Sequence, residues 1–378
     1  MKLRILLVLL LIFATCKKQT NSDDLSQISQ RSPNIEIQIE GKPQKGFLIG
    51  FEPFLIKDDY QTEDTFYRIL KAYFDYAKKE EVIAVERTIV VMPEYIGTWL
   101  VASGEKFSLF EKHTISEAME ELVLNHLGRF LWVFLFEQGH ATDRLKETLF
   151  RMKAFQMAEA YQNVFSRLAK EYRVDIVAGS IVLPEPKVVE GKITITDGPL
   201  QNVSFYFHSD GSVDPQITRK VFLIEEEKEF LAEKKSFENP VFNTPLGILN
   251  TMICADSWYP EAYQKALENS AEIIAIPSLV SPPEAWDQKW MGYNGQDTPK
   301  DVSVSDVKHI TEWQAWKKYS VIGRASKYKI ATAMNVFFRG RIWDINASGS
   351  AFILRQGKQV NVMRKKDNDL GMIYAIGL

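Results

Sequence analysis

The stretch Gly247-Ile-Leu-Asn-Thr-Met-Ile-Cys-Ala-Asp-Ser-Trp-Tyr-Pro-Glu261 begins as an apolar run and ends in a polar turn. Its closing Pro260-Glu261 pair is suited to opening a helix. Cys254 stands where the character changes. A sharp strand-to-helix turn lifts a nucleophile into a cleft and leaves backbone N–H groups beside it to receive an oxyanion. A buried structural thiol is the other reading of this residue, because free cysteine is among the most interior residue types. The only other cysteine, Cys16, closes an export-type segment, so no intrachain disulfide framework is expected.

Working outward, strand and helix patterns alternate. Gly46–Phe51 reads as a first strand, and Glu63–Glu80 as an amphipathic helix with Phe66, Ile69, Leu70, Tyr73 and Ala77 on one face. Thr88–Glu94 is a nearly continuous apolar strand of the kind buried on both faces, ending in Pro93-Glu94. Met152–Tyr172 reads as a helix, Val174–Ser180 as a strand, and Ile193–Gly211 as a hairpin with turns at Asp197-Gly198 and Asp210-Gly211. Helix Glu261–Asn269, strand Glu272–Pro277, helix Trp313–Tyr328 and strands at Lys329–Phe338 and Ala351–Leu354 follow. The alternation predicts an α/β domain with a mixed sheet.

Two stretches break the rhythm. Ser103–Leu149 is helix-rich and contains the apolar stripe Phe130–Phe136. The stripe is too short to span a bilayer, so core or lid packing is expected of it over membrane contact. Ser281–Asp306 is long, irregular and rich in Pro, Gly, Trp and Asp, which marks a functional or mobile loop.

Lys2 and Arg4, apolar Ile5–Phe13 and then Ala14-Thr15-Cys16 form a secretory-type signal, and the placement of Cys16 resembles the lipobox of bacterial lipoproteins. Phe13 and Thr15 depart from that pattern, so an ordinary cleaved signal or an uncleaved anchor stays open. The expected organisation is a signal over residues 1–15, a lipidated Cys16 with a polar tether over 16–44, and one catalytic domain over 45–378 with a helical insertion at about 103–149. Lys17–Asn34 lacks apolar periodicity, as a tether should. Such a protein is extracytoplasmic and held at a membrane by its N-terminal lipid. The 46 Lys and Arg against 49 Asp and Glu give a net charge of −3, which leaves no basic field for nucleic acid. The five histidines are scattered, and neither a zinc-type cluster nor a phosphate-binding glycine loop is present, so no metal or cofactor is expected.

Val90-Val-Met-Pro-Glu-Tyr95, Thr218-Arg-Lys-Val-Phe-Leu223 and Met252–Glu261 occur in the order glutamate, lysine, cysteine. In that order, with Ala178-Gly-Ser180, Gln201-Asn202 and Gly323-Arg-Ala325 around them, the chain resembles the nitrilase (carbon–nitrogen hydrolase) superfamily over about residues 45–355. The resemblance implies a four-layer α-β-β-α sandwich, assembled as a homodimer or larger homo-oligomer. It implies Glu94 as general base, Cys254 as nucleophile, Lys220 as the cation beside the oxyanion and the Ala255 N–H as an oxyanion donor. A second glutamate is expected soon after the lysine, at Glu227 or, one position earlier, Glu226. Each role has a plainer reading. Glu94 after a proline suits an exposed turn, and Lys220 before Glu225–Glu229 suits a solvated charge run.

Asp256, Tyr259, Pro260 and Glu261 are similar to the pattern of amidase-like branches, whereas Ala255, Trp258 and Lys327 depart from it. The resemblance therefore implies a hydrolase of nonpeptide C–N bonds acting on a small amide or nitrile, with the amide favoured. An N-acyltransferase of the same superfamily, or a catalytically silent surface-binding protein on this fold, are the alternatives. Tyr95, Trp258, Trp286 and Trp290 are the candidate pocket residues. The segments Ser103–Leu149 and Ser281–Asp306 are expected to border the active-site mouth, because Glu94 and Cys254 both end their strands.

Overall fold

A computed structural model describes residues 29–234, 236–364 and 369–378. The signal segment and Cys16 lie outside the described residues. The strands that matter here are, in chain order, β1 (Asn34–Glu40), β2 (Phe47–Glu52), β3 (Thr88–Val91), β4 (Asp175–Val177), β5 (Ile181–Pro184), β6 (Leu200–Phe207) and β7 (Val213–Arg219). They continue with β8 (Val241–Thr244), β9 (Gly247–Thr251), β10 (Ile273–Ser278), β11 (Thr332–Phe337), β12 (Phe352–Arg355), β13 (Lys358–Gln359) and β14 (Leu370–Gly377). The largest sheet runs β1-β14-β2-β3-β4-β6-β7 with β5 paired to β6, the next largest runs β8-β9-β10-β11-β12-β13, and two small sheets of three and two strands lie outside them. The principal helices are α1 (Glu63–Lys79), α2 (Ile115–Asn125), α3 (Leu127–Phe136), α4 (Arg144–Tyr172), α5 (Pro260–Glu268), α6 (Glu312–Tyr319) and α7 (Val321–Lys327).

Strand alternation generates the layers. In β3, Val90 joins the core shared with α1 and α4, while Ile89 and Val91 point the other way. In β10, Ile274 and Ile276 join the core under α5, α6 and α7, while Ile273 and Ala275 face inward. The inward sets of the two sheets meet in one core that contains Leu48, Tyr206, Leu249, Met334 and Tyr374. Strands covered on both faces read as continuous apolar runs for this reason. The sheets approach closely at Gly50, where a Cβ would stand 2.4 Å from Val336 Cγ1. The result is the α-β-β-α sandwich expected from the sequence.

Three boundaries differ from the sequence reading. Residues 34–40 belong to β1, which pairs in parallel with β14 from Asn34↔Leu370 to Glu40↔Ile376, so the polar tether does not reach residue 44. Ile35 and Ile37 pack against the core, and the alternation Asn-Ile-Glu-Ile-Gln-Ile-Glu is what permits it. Lys192–Thr194 pairs back onto Lys187–Val189 and not onto β6, so the expected hairpin keeps only its Asp210-Gly211 turn. Helix α4 starts eight residues ahead of Met152, because the Asp143 side chain accepts from Lys146 N–H at 3.0 Å and caps it. The last residues of the expected insertion, 144–149, are therefore the first turns of a long core helix.

The stripe on α3 also differs. Phe130 and Val133 are buried against the neighbouring helices, but Leu131, Trp132, Leu135 and Phe136 are exposed, Trp132 to 60% and Phe136 to 69%. A ten-residue helix resting on two residues spaced three apart has most of its circumference left in solvent. Among the described residues no helix is long and apolar enough to cross a membrane.

Candidate active site

Each candidate site residue leaves the carboxyl end of a strand, where the backbone stops pairing and side chains turn toward a cleft. Glu94 follows β3 by three residues, Cys254 follows β9 by three, and Lys220 directly follows β7. Gly179 lets the neighbouring backbone close on the first of these turns. Its φ is +69°, and a Cβ there would lie 2.1 Å from the Pro93 carbonyl oxygen. Ser180 Oγ accepts from Tyr95 N–H at 2.8 Å and holds the turn in place. Tyr95 itself has φ +60°.

Cys254 has φ +48° and opens the single 3-10 turn Cys254–Trp258. A non-glycine residue in the left-handed region is strained, and such strain persists only where the surroundings impose it. Asp256 supplies much of that constraint. Its carboxylate accepts from Ile253 N–H at 3.1 Å, Val221 N–H at 3.0 Å and Phe222 N–H at 2.9 Å. One side chain thus ties the cysteine turn to the chain just after the lysine. Burial pushes the Asp256 carboxyl up to about 7, against the three N–H donors that favour its charge. The first hydrogen bond of the turn is donated by Asp256 N–H to the Ile253 carbonyl. Ala255 N–H lies ahead of that bond and has no partner within the turn, as helix starts dictate.

Lys220 Nζ donates to Glu94 Oε1 at 2.8 Å and to Glu227 Oε1 at 2.7 Å, with all three side chains almost wholly buried. Asn202 Nδ2 donates to the same Glu94 oxygen at 3.0 Å. Glu227 is held further by Tyr95 OH and by Ile224 N–H, the latter at 3.1 Å. The structure places Glu227 and not Glu226 on the lysine; Glu226 is exposed and accepts from Asn294 Nδ2 at 3.0 Å. Burial raises the Glu94 carboxyl, opposed by Lys220 and assisted by Glu227. Burial disfavours the charged lysine, yet the two carboxylates overcome it and hold Lys220 well above its ordinary value. Burial, then the charge of Glu94, pushes the Cys254 thiol up, with Lys220 pulling the other way. Burial and the neighbouring carboxylate thus favour the thiol of Cys254 over the thiolate.

Glu94, Tyr95, Lys220, Glu227 and Cys254 all line one cavity of about 340 Å³. The inserted segment walls it with Leu109, Ile115, Ala118, Met119 and Leu122, and Leu149 and Phe150 of α4 continue the wall. The expectation that the insertion borders the site agrees with this placement. The companion expectation is corrected, since residues 281–306 do not line the cavity. Asn294 and Gly295 brace the short helix Glu225–Lys228 from behind, through Asn294 to Glu225 N–H and Glu226 and through Lys228 Nζ to the Gly295 carbonyl.

Trp258, Trp286 and Trp290 are likewise not pocket residues. They are buried in the core under α5, α6 and α7, where Trp258 stacks on Trp290 at 5.9 Å and meets Trp316 edge-on at 5.0 Å. Trp286 packs against Phe337 at 5.0 Å and donates Nε1–H to the Ser348 carbonyl at 2.7 Å. An indole with its N–H satisfied is a stable core residue, and sequence does not distinguish that from a wall. The reading of the sequence missed Trp99, Phe230, Leu279, Trp343 and Ile345, which also line the cavity. They come from four separate parts of the chain. It quoted Asn202 and Asp256 only as parts of motifs, without their positioning roles.

Known proteins resemble this chain in part of its sequence and in its fold. A family model described as carbon–nitrogen hydrolase matches residues 130–296, a span holding Lys220, Glu227 and Cys254 but starting beyond Glu94. A protein of Bacillus subtilis (strain 168) named "Probable hydrolase YhcX" is 30% identical over 122 residues, which is 32% of this chain and 21% of that one. A protein of Schizosaccharomyces pombe named as a probable nitrilase is 29% identical over 124 residues, covering 32% of this chain and 41% of its own length. These curated relatives are thus matched over less than half their lengths. Among solved structures, an amidase from Nesterenkonia sp. AN1 superimposes with a TM-score of 0.53 at 11% identity, covering 88% of this chain and 93% of that one. In that structure acrylamide has undergone Michael addition at the active-site cysteine. A second structure of this amidase, from the nitrilase superfamily, gives a TM-score of 0.54 at 10% identity over 90% and 92% of the two chains. The shared architecture is the nitrilase-type sandwich.

Proposed function

We propose that this protein is a carbon–nitrogen hydrolase and that it acts as an amidase through a thioester. The observation that carries the proposal is Cys254 on a strained turn, sharing one cavity with a buried Glu94–Lys220–Glu227 set.

Glu94 takes the Sγ proton as sulfur attacks the amide carbon, forming the S–C bond and placing the electron pair on oxygen. The oxyanion is met by the Lys220 ammonium and the Ala255 N–H, charges and dipoles fixed before the reaction. Collapse of this intermediate breaks the C–N bond, and the departing nitrogen takes the proton from Glu94. Water then attacks the thioester and gives its proton to Glu94, the C–S bond breaks, and the thiolate recovers that proton. An amide and water become a carboxylic acid and an amine or ammonia. Because burial and Glu94 disfavour a free thiolate at Cys254, the cycle depends on Glu94 from its first step.

The test is a panel of primary and N-alkyl amides assayed with wild type and Cys254→Ala, followed by acid quench and mass measurement of the Cys254 peptide. Wild type should release amine and carry an acyl adduct on that peptide. The alanine variant should lose activity by about 10⁴-fold or more while folding normally. An alanine variant that retains turnover would end the proposal.

The same proposal places the enzyme outside the cytoplasm on a lipid anchor at Cys16. Its support is the order Lys2 and Arg4, Ile5–Phe13, Ala14-Thr15-Cys16. Wild type should enter the detergent phase on partitioning and Cys16→Ser should not. Recovery of both in the aqueous phase contradicts the anchor.

A further inference from the structure

We infer, building on the amidase reading above, that the acyl group of the substrate is a long, unbranched apolar chain seated in the chamber that the inserted helices wall off.

The chamber is chemically divided. Its reactive end carries Glu94, Tyr95, Lys220, Glu227 and Cys254, and every polar group there already has a named task or partner. Away from it, the wall from the insertion is Leu109, Ile115, Ala118, Met119 and Leu122, side chains with no hydrogen-bonding group. Two other charged residues touch the chamber. Lys146 is partly exposed and pairs with Asp143 at 2.9 Å and Glu229 at 3.3 Å, and Glu226 is exposed and accepts from Asn294. Both therefore belong to the rim. Against this wall a polar or charged acyl group would lose its water and find no partner. Elsewhere on the lining Trp99 Nε1–H is a buried donor with no protein partner, enough for one acceptor and not for a charged or multiply polar chain. An alkyl chain gains about 0.8 kcal/mol per buried methylene, equivalent to about a fourfold rise in kcat/KM.

Chamber and chain also match in size. At roughly 30 Å³ for each methylene-sized group, a cavity of about 340 Å³ holds on the order of ten such groups in all, the reacting carboxamide included. The chain belongs on the acyl side and not on the amine, because the acyl group stays bonded to Cys254 through both half-reactions. The amine must leave before water enters, so the group that stays against the apolar wall throughout the cycle is the acyl group.

The experiment measures kcat/KM for linear primary amides from acetamide to tetradecanamide, and calorimetric binding of the same series to Cys254→Ala. Wild type should gain about fourfold per methylene up to roughly ten carbons and then level off. Met119→Trp, which fills the chamber, should lower the decanamide-to-acetamide ratio by more than tenfold and move the plateau to shorter chains. If that variant does not fold, the binding series still decides, since affinity should climb with chain length and then level. A flat profile in an enzyme that hydrolyses acetamide overturns this inference and leaves the amidase reading standing. Chain-length-dependent binding with no turnover of any amide supports the apolar chain seat and overturns the amidase reading instead. A steeper dependence on N-alkyl length than on acyl length overturns the assignment of the chain to the acyl side.

Discussion

At the strand ends, Lys220 holds two carboxylates, Glu94 takes two donors on one oxygen, and Glu227 is bonded by lysine, tyrosine and a backbone N–H. Across the same cavity the inserted helices present apolar side chains with no directional bond to the site. The polar corner resists change, because moving any member strands a buried charge, whereas the apolar wall tolerates exchange of one hydrophobic group for another. On the proposed reading, chemistry and selectivity fall to different parts of the fold, so that one can vary without the other. A third region, the tryptophan cluster under α5, α6 and α7, shares the corner's rigidity and touches no substrate space.

Three substitutions probe that separation. Trp286→Ala should cost about 3–5 kcal/mol of stability by denaturant unfolding, the usual price of deleting a large buried ring. It should leave the order of preference among acyl lengths unchanged. A changed preference with intact stability would move Trp286 into the wall and erase the distinction.

Glu227→Gln removes a negative charge that holds the Glu94 carboxyl and the Cys254 thiol up. Losing that neighbour makes ionised Glu94 cheaper, so the acidic limb of kcat/KM should move to lower pH. The weaker base should lower the rate by about 10²-fold on every acyl length alike. A shift of the acidic limb to higher pH, or a loss confined to long chains, would show that Glu227 does not act through the corner.

Glu52 tests burial without chemistry. It is fully buried, accepts from Phe337 N–H at 3.0 Å, and lies 4.0 Å from Arg339. Burial lifts its carboxyl to about 7, against the arginine and the backbone donor. Its folded value exceeds its unfolded one, so the protonated form is the one folding favours. The contribution is fully present below about pH 4.5 and is lost as pH rises through 7, on the order of 3 kcal/mol. Glu52→Gln should flatten that part of the stability profile without moving the pH profile of turnover. A moved activity profile would tie Glu52 to the corner.

The pattern of what the residues disclosed follows from range. Continuous apolar runs at Thr88–Val91 and Ile273–Ser278 announced buried strands, because both faces are covered and the signal is local. The strand Asn34–Glu40 carried an equally local signal, three isoleucines on alternate positions, obscured by the polar residues between them. The register at Glu226 and Glu227 was ambiguous for a different reason. Neighbouring residues on a four-residue helix are told apart only by which one faces inward, and the lysine decides that from seven residues away.

By itself the order of residues determined an α/β domain with a mixed sheet and a helix-rich stretch that breaks its rhythm, through patterns a few residues long; the sandwich and the candidate glutamate–lysine–cysteine set came only through resemblance to a family. The tertiary structure alone decided which aromatic residues face substrate space. Trp286 and Trp343 are the same residue type and both donate Nε1–H to a backbone carbonyl, yet one closes a core and the other lines the cavity. That choice rests on which surfaces, distant in the chain, are left uncovered when two sheets and their helices have packed, and no local sequence pattern encodes it.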